Sequence, residues 1–347
     1  MIGNELAILS GALLIVFFFL LGILLYLIIR KLSENARNQK ISKLTEKYFA
    51  LIFIYMTDQF HSRSIRSDSK LQKEALEQAL GRYAEVLEGE SEKYALRHLA
   101  ELHLSGYYAK RLKSAVWSQR MNALYYIEDF QMMTLREDVI RLLRKKKISR
   151  EEIVHSLRVL ASFRDKRLFE LLSNDFDHLT DYEYRAILSR LDKEGIDLFM
   201  LSFYRIPEQL KFAVLDVLGT SKEIHYLSFV ETIYGSYSGE IRLRALKTIA
   251  AIGYVKDINT YLPLSDSSVW QERMFFAKLL GSSNDRKGIP YLVTFLHDDS
   301  WWVRSQAGQA LSSFSNSRDI FLNVLRQSQD PYARDMAEEW LSRGEGI

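Results

Sequence analysis

Seven histidines, a large set of carboxylates and one Gly-x-Ser-x-Gly run are the groups in this chain that could carry out chemistry. The histidines are His61, His98, His103, His155, His178, His225 and His297. None stands in a His-Glu-x-x-His run, and His98 and His103 are five apart, so they do not share a helix face. Cysteine is absent, which removes thiolate catalysis, disulfides, Fe–S clusters and Cys-based zinc sites. The Gly-rich phosphate cradles are missing too. Gly235-Ser236-Tyr237-Ser238-Gly239 lacks the strand a nucleophile elbow needs, and an inter-helix loop explains it better. Glu151-Glu152 and Glu338-Glu339 read as helix surface, the former near a helix N-terminus. No catalytic, cofactor or metal residue is assigned on this reading.

The groups left are suited to binding. Arg144-Lys145-Lys146-Lys147, with Arg141 and Arg150 beside them, form the strongest charge run. Such a run fits a solvated helix C-terminus favoured by the dipole, a contact with anionic lipid, or an acidic protein partner. Nucleic acid is disfavoured, because stacking aromatics are not interleaved and 47 basic against 44 acidic residues leave a net charge of only +3.

The elements that must position these groups follow from composition and pattern. A length of 347 residues suggests about two domains. Only 4 prolines and 16 glycines leave few turns for an all-β chain, so the fold is expected to be all-α. Leu6 to Ile29 carries no charge and, at about 1.5 Å per residue, is long enough to cross a bilayer. A cleaved signal peptide would want a basic start and a small-residue cleavage site, and neither is present. Arg30, Lys31, Arg37, Lys40, Lys43 and Lys47 lie on its C-terminal side. The positive-inside rule then places the N-terminus outside and the rest in the cytoplasm, on a single-pass cytoplasmic (inner) membrane anchor.

Residues 31–60 have helical spacing at Leu44, Tyr48, Leu51, Ile52, Tyr55 and Met56. They suit an extension of the anchor, an amphipathic helix on headgroups, or the first core helix of the soluble part. Residues 61–70 read as a loop. The expected division is an anchor over 1–30, a juxtamembrane helix and linker over 31–70, and a helical array over 71–347.

Repeats define that array. Arg242, Arg273, Arg304 and Arg334 are spaced 31, 31 and 30, each followed by apolar residues at helical spacing, and Arg120 fits the same frame. Weaker units lie at Ile153 to Phe163, Tyr184 to Gly195 and Lys211 to Gly219. In the clearest period, Ile289 to Leu296 is one helix, Asp298-Asp299-Ser300 the turn and cap, and Trp301 to Phe314 the second helix. Ala307, Gly308 and Ala310 allow close helix packing. Trp117, Trp270 and Trp301 each precede a frame arginine by three, as packing groups at the inter-helix turn or as a recognition stripe. Trp302 cannot face inward together with Trp301, which makes it a candidate binding anchor.

Asp298, Asp299, Val303, Arg304, Ala307, Ala310 and Leu311 resemble the HEAT-repeat family in its short bacterial form, and Asp330, Ala333, Arg334 and Ala337 repeat much of the pattern. The resemblance implies an α-solenoid of about seven to eight stacked helix pairs. It also implies a structural ladder through Arg242, Arg273, Arg304 and Arg334 with Asp266, Asp299 and Asp330. Some HEAT-like enzymes bind iron through His-Glu pairs, and no His-Glu dipeptide occurs here. Single-anchor bacterial HEAT proteins look like accessory subunits of membrane machinery such as envelope polysaccharide systems. The expectation is therefore a membrane-tethered scaffold with a protein partner and no small-molecule substrate or nucleic acid. Peripheral sensing of anionic lipid is the alternative, and a solenoid-based lyase or metal enzyme a more distant one.

Overall fold

The computed structural model describes residues 2–58 and 65–344; residues 61–64 of the expected loop lie outside them. All regular structure among the described residues is helical. Contacts divide the chain into two compact units, Met1–Phe163 and Arg164–Ile347. The first unit spans the expected boundaries at residues 30 and 70.

The first unit contains α1 (Ile2–Asp58), α2 (Lys70–Ala84), α3 (Glu90–Leu112), α4 (Trp117–Asp129), α5 (Arg136–Leu143) and α6 (Arg150–Ser162). Helix α1 runs unbroken through the expected junction at residue 30, because no Gly or Pro lies between Ile29 and Asp58. Its two ends differ in environment. Large apolar side chains from Leu13 to Ile29 are exposed, and this part is long and apolar enough to cross a membrane. Further on, Ile41, Thr45, Tyr48 and Ile52 recur at helical spacing and are buried, in contact with α2, where Leu76 and Leu80 are fully enclosed. Burying one such side chain stabilises by about 1.5–3 kcal/mol. The Tyr83 hydroxyl donates to the Phe49 carbonyl at 3.0 Å, and the two rings stack at 4.2 Å. The apolar face expected over residues 31–60 is thus the face that packs, while Lys40, Lys43 and Lys47 stay exposed. Helix α2 starts where Ser69 and Gln72 form a reciprocal cap.

The second unit contains α7 (Leu168–Glu170), α8 (Asp181–Leu188), α9 (Lys193–Leu201), α10 (Glu208–Ser221), α11 (Leu227–Ser236), α12 (Gly239–Ile252), α13 (Trp270–Ser283), α14 (Ile289–Phe295), α15 (Trp301–Ser312), α16 (Ser317–Gln327) and α17 (Pro331–Gly344). Helices α8, α10, α12, α13, α15 and α17 contact one another in succession as the second helices of stacked pairs. This is the all-α solenoid architecture. Before α13 the chain makes 3₁₀ turns over Ile258–Asp266, where Pro263 cannot donate to an α-helical bond. Small residues set the close approaches. A Cβ on Gly281 would lie 2.7 Å from the Ala310 Cβ, and one on Gly308 only 2.3 Å from the Trp340 ring. The expected turn at Asp298–Ser300 forms, but the Ser300 side chain does not cap α15. The Asp298 carboxylate instead accepts from the Ser300 amide at 2.8 Å.

Candidate functional site

Each frame arginine sits on the first turn of a second helix, and three of them reach back over the turn that precedes it. Arg120 donates to the Ser114 carbonyl at 2.7 Å, Arg273 to Ser267 at 2.6 Å and Arg304 to Asp298 at 2.7 Å. The offset is six residues in every case, because one helical turn plus the bend brings the guanidinium under that carbonyl. In Arg120, Arg242 and Arg273 the guanidinium also ties to the next repeat. Arg273 holds Asp298 with two bonds of 2.6 and 2.8 Å. Arg120 binds Glu152, and Arg242 binds Glu272 and the Tyr234 hydroxyl. Burial by itself would push the Glu152 carboxyl up, but Arg120 and the Ser149 amide hold it below the usual carboxylate range.

The acceptors are not those of the expected ladder. Asp266 is exposed and Arg242 turns to Glu272, while Arg273 takes Asp298 rather than Asp299. Asp299 accepts from Arg304 only through its carbonyl, at 3.1 Å. Asp330 accepts from the Tyr332 amide, and the Arg334 side chain is exposed. The reason lies in geometry: Glu152 and Glu272 stand one turn inside the following helix, where a longer side chain reaches the arginine as well as a loop aspartate does.

The tryptophans project from the edge of the stack. Trp270 and Trp301 open α13 and α15, and Tyr332 is the second residue of α17, so the three recur at intervals of 31. Trp301 is 48% exposed, Trp302 58% and Tyr332 63%. Trp301 and Trp302 meet edge to face with centroids 4.9 Å apart, and Arg304 lies over the Tyr332 ring at 4.9 Å. In the first unit Trp117 is likewise exposed, its indole donating to Ser149 at 3.0 Å. Packing at the turn therefore takes up only part of each ring. The first turn of a helix has no preceding turn to cover it, so two adjacent indoles both reach solvent there.

The basic run follows the C-terminus of α5. Arg141 pairs with Asp138 at 2.5 Å and Lys145 donates to the Leu112 carbonyl at 3.1 Å. Arg144, Lys146 and Lys147 are exposed. The cations at residues 141 and 145 are thus partly used in local structure.

Sequence reading missed a polar cleft in the first unit. It has a volume of about 920 Å³ and is walled by α1, α2, α3 and α4. Buried Glu77 accepts from the Tyr108 hydroxyl at 2.6 Å, with Arg111 at 3.8 Å. Burial pushes the Glu77 carboxyl above its ordinary range, against the pull of Tyr108 and Arg111, and pushes the Tyr108 hydroxyl up as well. The available signal was the interval of 31 between Glu77 and Tyr108, which matches the repeat period. Among the described residues no cluster of three His, Asp or Glu side chains is placed to hold a metal ion. Gly235–Gly239 joins α11 to α12, without a strand.

No curated protein matches the chain. A solved crystal structure described as an engineered protein of the Northeast Structural Genomics Consortium is similar at 16% identity, over 76% of this chain and 94% of that one, with a TM-score of 0.22. Nothing about function is taken from a likeness that low. Over residues 262–342, from the 3₁₀ turns through α17, the chain matches the family described as HEAT repeats.

Proposed function

We propose that this chain is a protein-interaction scaffold tethered to a membrane by the N-terminal half of α1. The observation that carries this reading is the aromatic edge exposed at Trp301 and Trp302 of α15 and Tyr332 of α17, with half-buried Trp270 of α13 one period before. Rings that recur once per repeat at the surface offer a row of anchors, and aromatic side chains dominate the energetics of protein interfaces. Stacked helix pairs present long surfaces to partners. The unburied apolar stretch from Leu13 to Ile29 supports the tether, and the lysines and arginines that follow support a cytoplasmic scaffold beneath a cytoplasmic membrane. Tethering raises the local concentration near a membrane-bound partner, so a weak interface suffices. An accessory role in membrane or envelope polysaccharide machinery fits that placement. No catalytic role is proposed.

In-cell cross-linking of the tagged full-length protein, detergent purification and mass spectrometry test this. A stoichiometric partner retained by the wild type and lost from Trp301→Ala/Trp302→Ala supports the scaffold. Capture unchanged by that double substitution removes the aromatic edge from the interface. The exposure of Arg144, Lys146 and Lys147 favours a second reading, contact with anionic lipid. Co-sedimentation of residues 31–347 with vesicles that shows no dependence on anionic lipid or salt excludes it.

A further inference from the structure

A second periodic column lies on another face of the same helices. Arg185, Asp216, Lys247, Lys278 and Gln309 are each 31 residues apart, on α8, α10, α12, α13 and α15. These helices are neighbours, so positions one period apart fall side by side. Lys247 confirms this by donating to Asp216 at 2.9 Å. Charge along the column is uneven. At the α8–α10–α12 end Asp216 is buried and shared by Lys247, Arg244 at 2.8 Å and Arg185 at 3.9 Å. Arg244 is further neutralised by Asp181 at 3.0 Å and Glu240 at 2.7 Å. Toward α13 the carboxylates stop. Lys278 is half-buried and has no ion-pair partner among the described residues, and neither has Lys222, which ends α10 in a left-handed conformation at φ 56°. Burial, then Lys222 and Lys247, push the Lys278 ammonium below its usual range, so both neighbouring cations act on it while the carboxylate of Asp216 pairs with Lys247. A small cavity of about 130 Å³ lies at the Lys247 end of this surface, lined in part by Asp216, Thr220, Lys247 and Thr248, whose two hydroxyls donate to backbone carbonyls.

We propose that Lys222, Lys247 and Lys278 form a docking surface for an extended acidic protein segment that lays carboxylates across α12 and α13. Charge complementarity selects the occupant: five cations, Arg185, Lys222, Arg244, Lys247 and Lys278, face three carboxylates, Asp181, Asp216 and Glu240. Spacing selects its form. Packed helices stand about 8–10 Å apart. An extended chain in the polyproline II conformation rises about 3.1 Å per residue with three residues per turn, so acidic side chains three positions apart share a face and step from one lysine to the next. A membrane surface would have no reason to match that interval. The proposal rests on the reading of the chain as a binding scaffold but not on the aromatic edge or on the tether.

The test uses the full-length protein in detergent micelles and a fluorescein-labelled peptide with glutamate at every third position, read by anisotropy. The control peptide carries glutamine at those positions. Binding of the acidic peptide should weaken steeply with salt, and Lys278→Gln and Lys247→Gln should each weaken it by about tenfold. Lys222→Gln, on an exposed side chain that cannot endanger the fold, should weaken it by about threefold. Lys278→Gln should leave the melting temperature unchanged or raised, since it removes a repelled and half-buried charge. Equal binding of the glutamine peptide, or wild-type affinity in the three lysine variants, overturns the proposal. So does binding of vesicles containing 20% phosphatidylserine that depends on these lysines while the peptide fails to bind. Loss of peptide binding with partner capture intact refutes this surface alone. Loss of all partner capture with peptide binding intact refutes only the aromatic edge.

Discussion

Residues 262–342 and residues 164–221 belong to one compact unit and are held together differently. In the former, the second helices α13, α15 and α17 are 14, 12 and 14 residues long. Before α13 and α15 an arginine ties the turn to the carbonyls before it, and Arg273 reaches the next repeat as well. In the latter, α7 is 3 residues long and passes into a π-helical turn over Leu171–Asp175, and α8 and α9 are 8 and 9 residues long. No frame arginine occurs, and local bonds close the turns, while ion pairs between repeats join Arg164 to Asp192 at 3.0 Å and Arg185 to Asp216 at 3.9 Å. Thr180 and Glu183 form a reciprocal cap, Asp192 accepts from the Gly195 amide at 3.0 Å, and the Tyr184 hydroxyl donates to the Phe176 carbonyl at 2.6 Å. A repeat array therefore has two ways to define a turn: an arginine that reaches back to the carbonyls before it, or a side-chain cap that closes the turn locally.

Breaking the coupling should have the largest effect. Arg273→Ala strands the Asp298 carboxylate, whose side chain is only 7% exposed, and is expected to cost about 3 kcal/mol. Hydrogen exchange should show the loss across α13 to α15, with residues 164–221 unaffected. Arg304→Ala, which loses carbonyl contacts and the Tyr332 ring but strands no carboxylate, should cost less, about 1–2 kcal/mol. Gly308→Ala forces Trp340 off its seat and should cost about 1–3 kcal/mol, read as lost protection in α17.

The self-closed turns should respond more weakly and locally. Thr180→Ala removes one cap and should cost about 1 kcal/mol, with exchange rising only in α8. Equal losses across α8, α10 and α12 would show that this stretch is coupled after all. A pH series separates the two modes further. The Glu152 carboxyl titrates below its usual range in the folded chain, so its tie to Arg120 contributes fully above the ordinary carboxylate pKa of about 4.3. The contribution is lost as pH falls through the lower folded value, and Glu152→Gln should flatten that part of the acid-unfolding curve. The smallest effect on stability is expected from Trp302→Ala, within about 0.5 kcal/mol, because its ring is 58% exposed. A larger loss would make Trp302 a packing residue rather than an anchor.

The helical class, the apolar stretch of α1 and the period of about 31 residues were legible in the chain, because each depends on spacing along one helix or between copies of one unit. The frame arginines were legible for the same reason. Their acceptors were not, since a glutamate one turn into a helix and an aspartate in a loop reach the same guanidinium by different paths. Glu77 was missed because one carboxylate on a helix looks like any surface residue until α1, α3 and α4 close over it. The column of Asp216, Lys247 and Lys278 was written at the repeat interval but drew no notice, because its members differ in charge.

Local pattern thus determined the elements and their order: periodicity, the scarcity of proline and glycine, and capping groups act over a few residues and need no partner. The tertiary structure decided which polar groups meet. Most of those meetings link residues about 30 positions apart, as in Arg120 with Glu152, Arg242 with Glu272 and Lys247 with Asp216. Side-chain length, burial and the angle between stacked helices settle such pairs, and these quantities exist only once the neighbouring repeat is in place. The same holds for what stays unpaired. Trp301 and Trp302 stay exposed, and Lys278 without an ion-pair partner among the described residues, because of what the stack does not place against them.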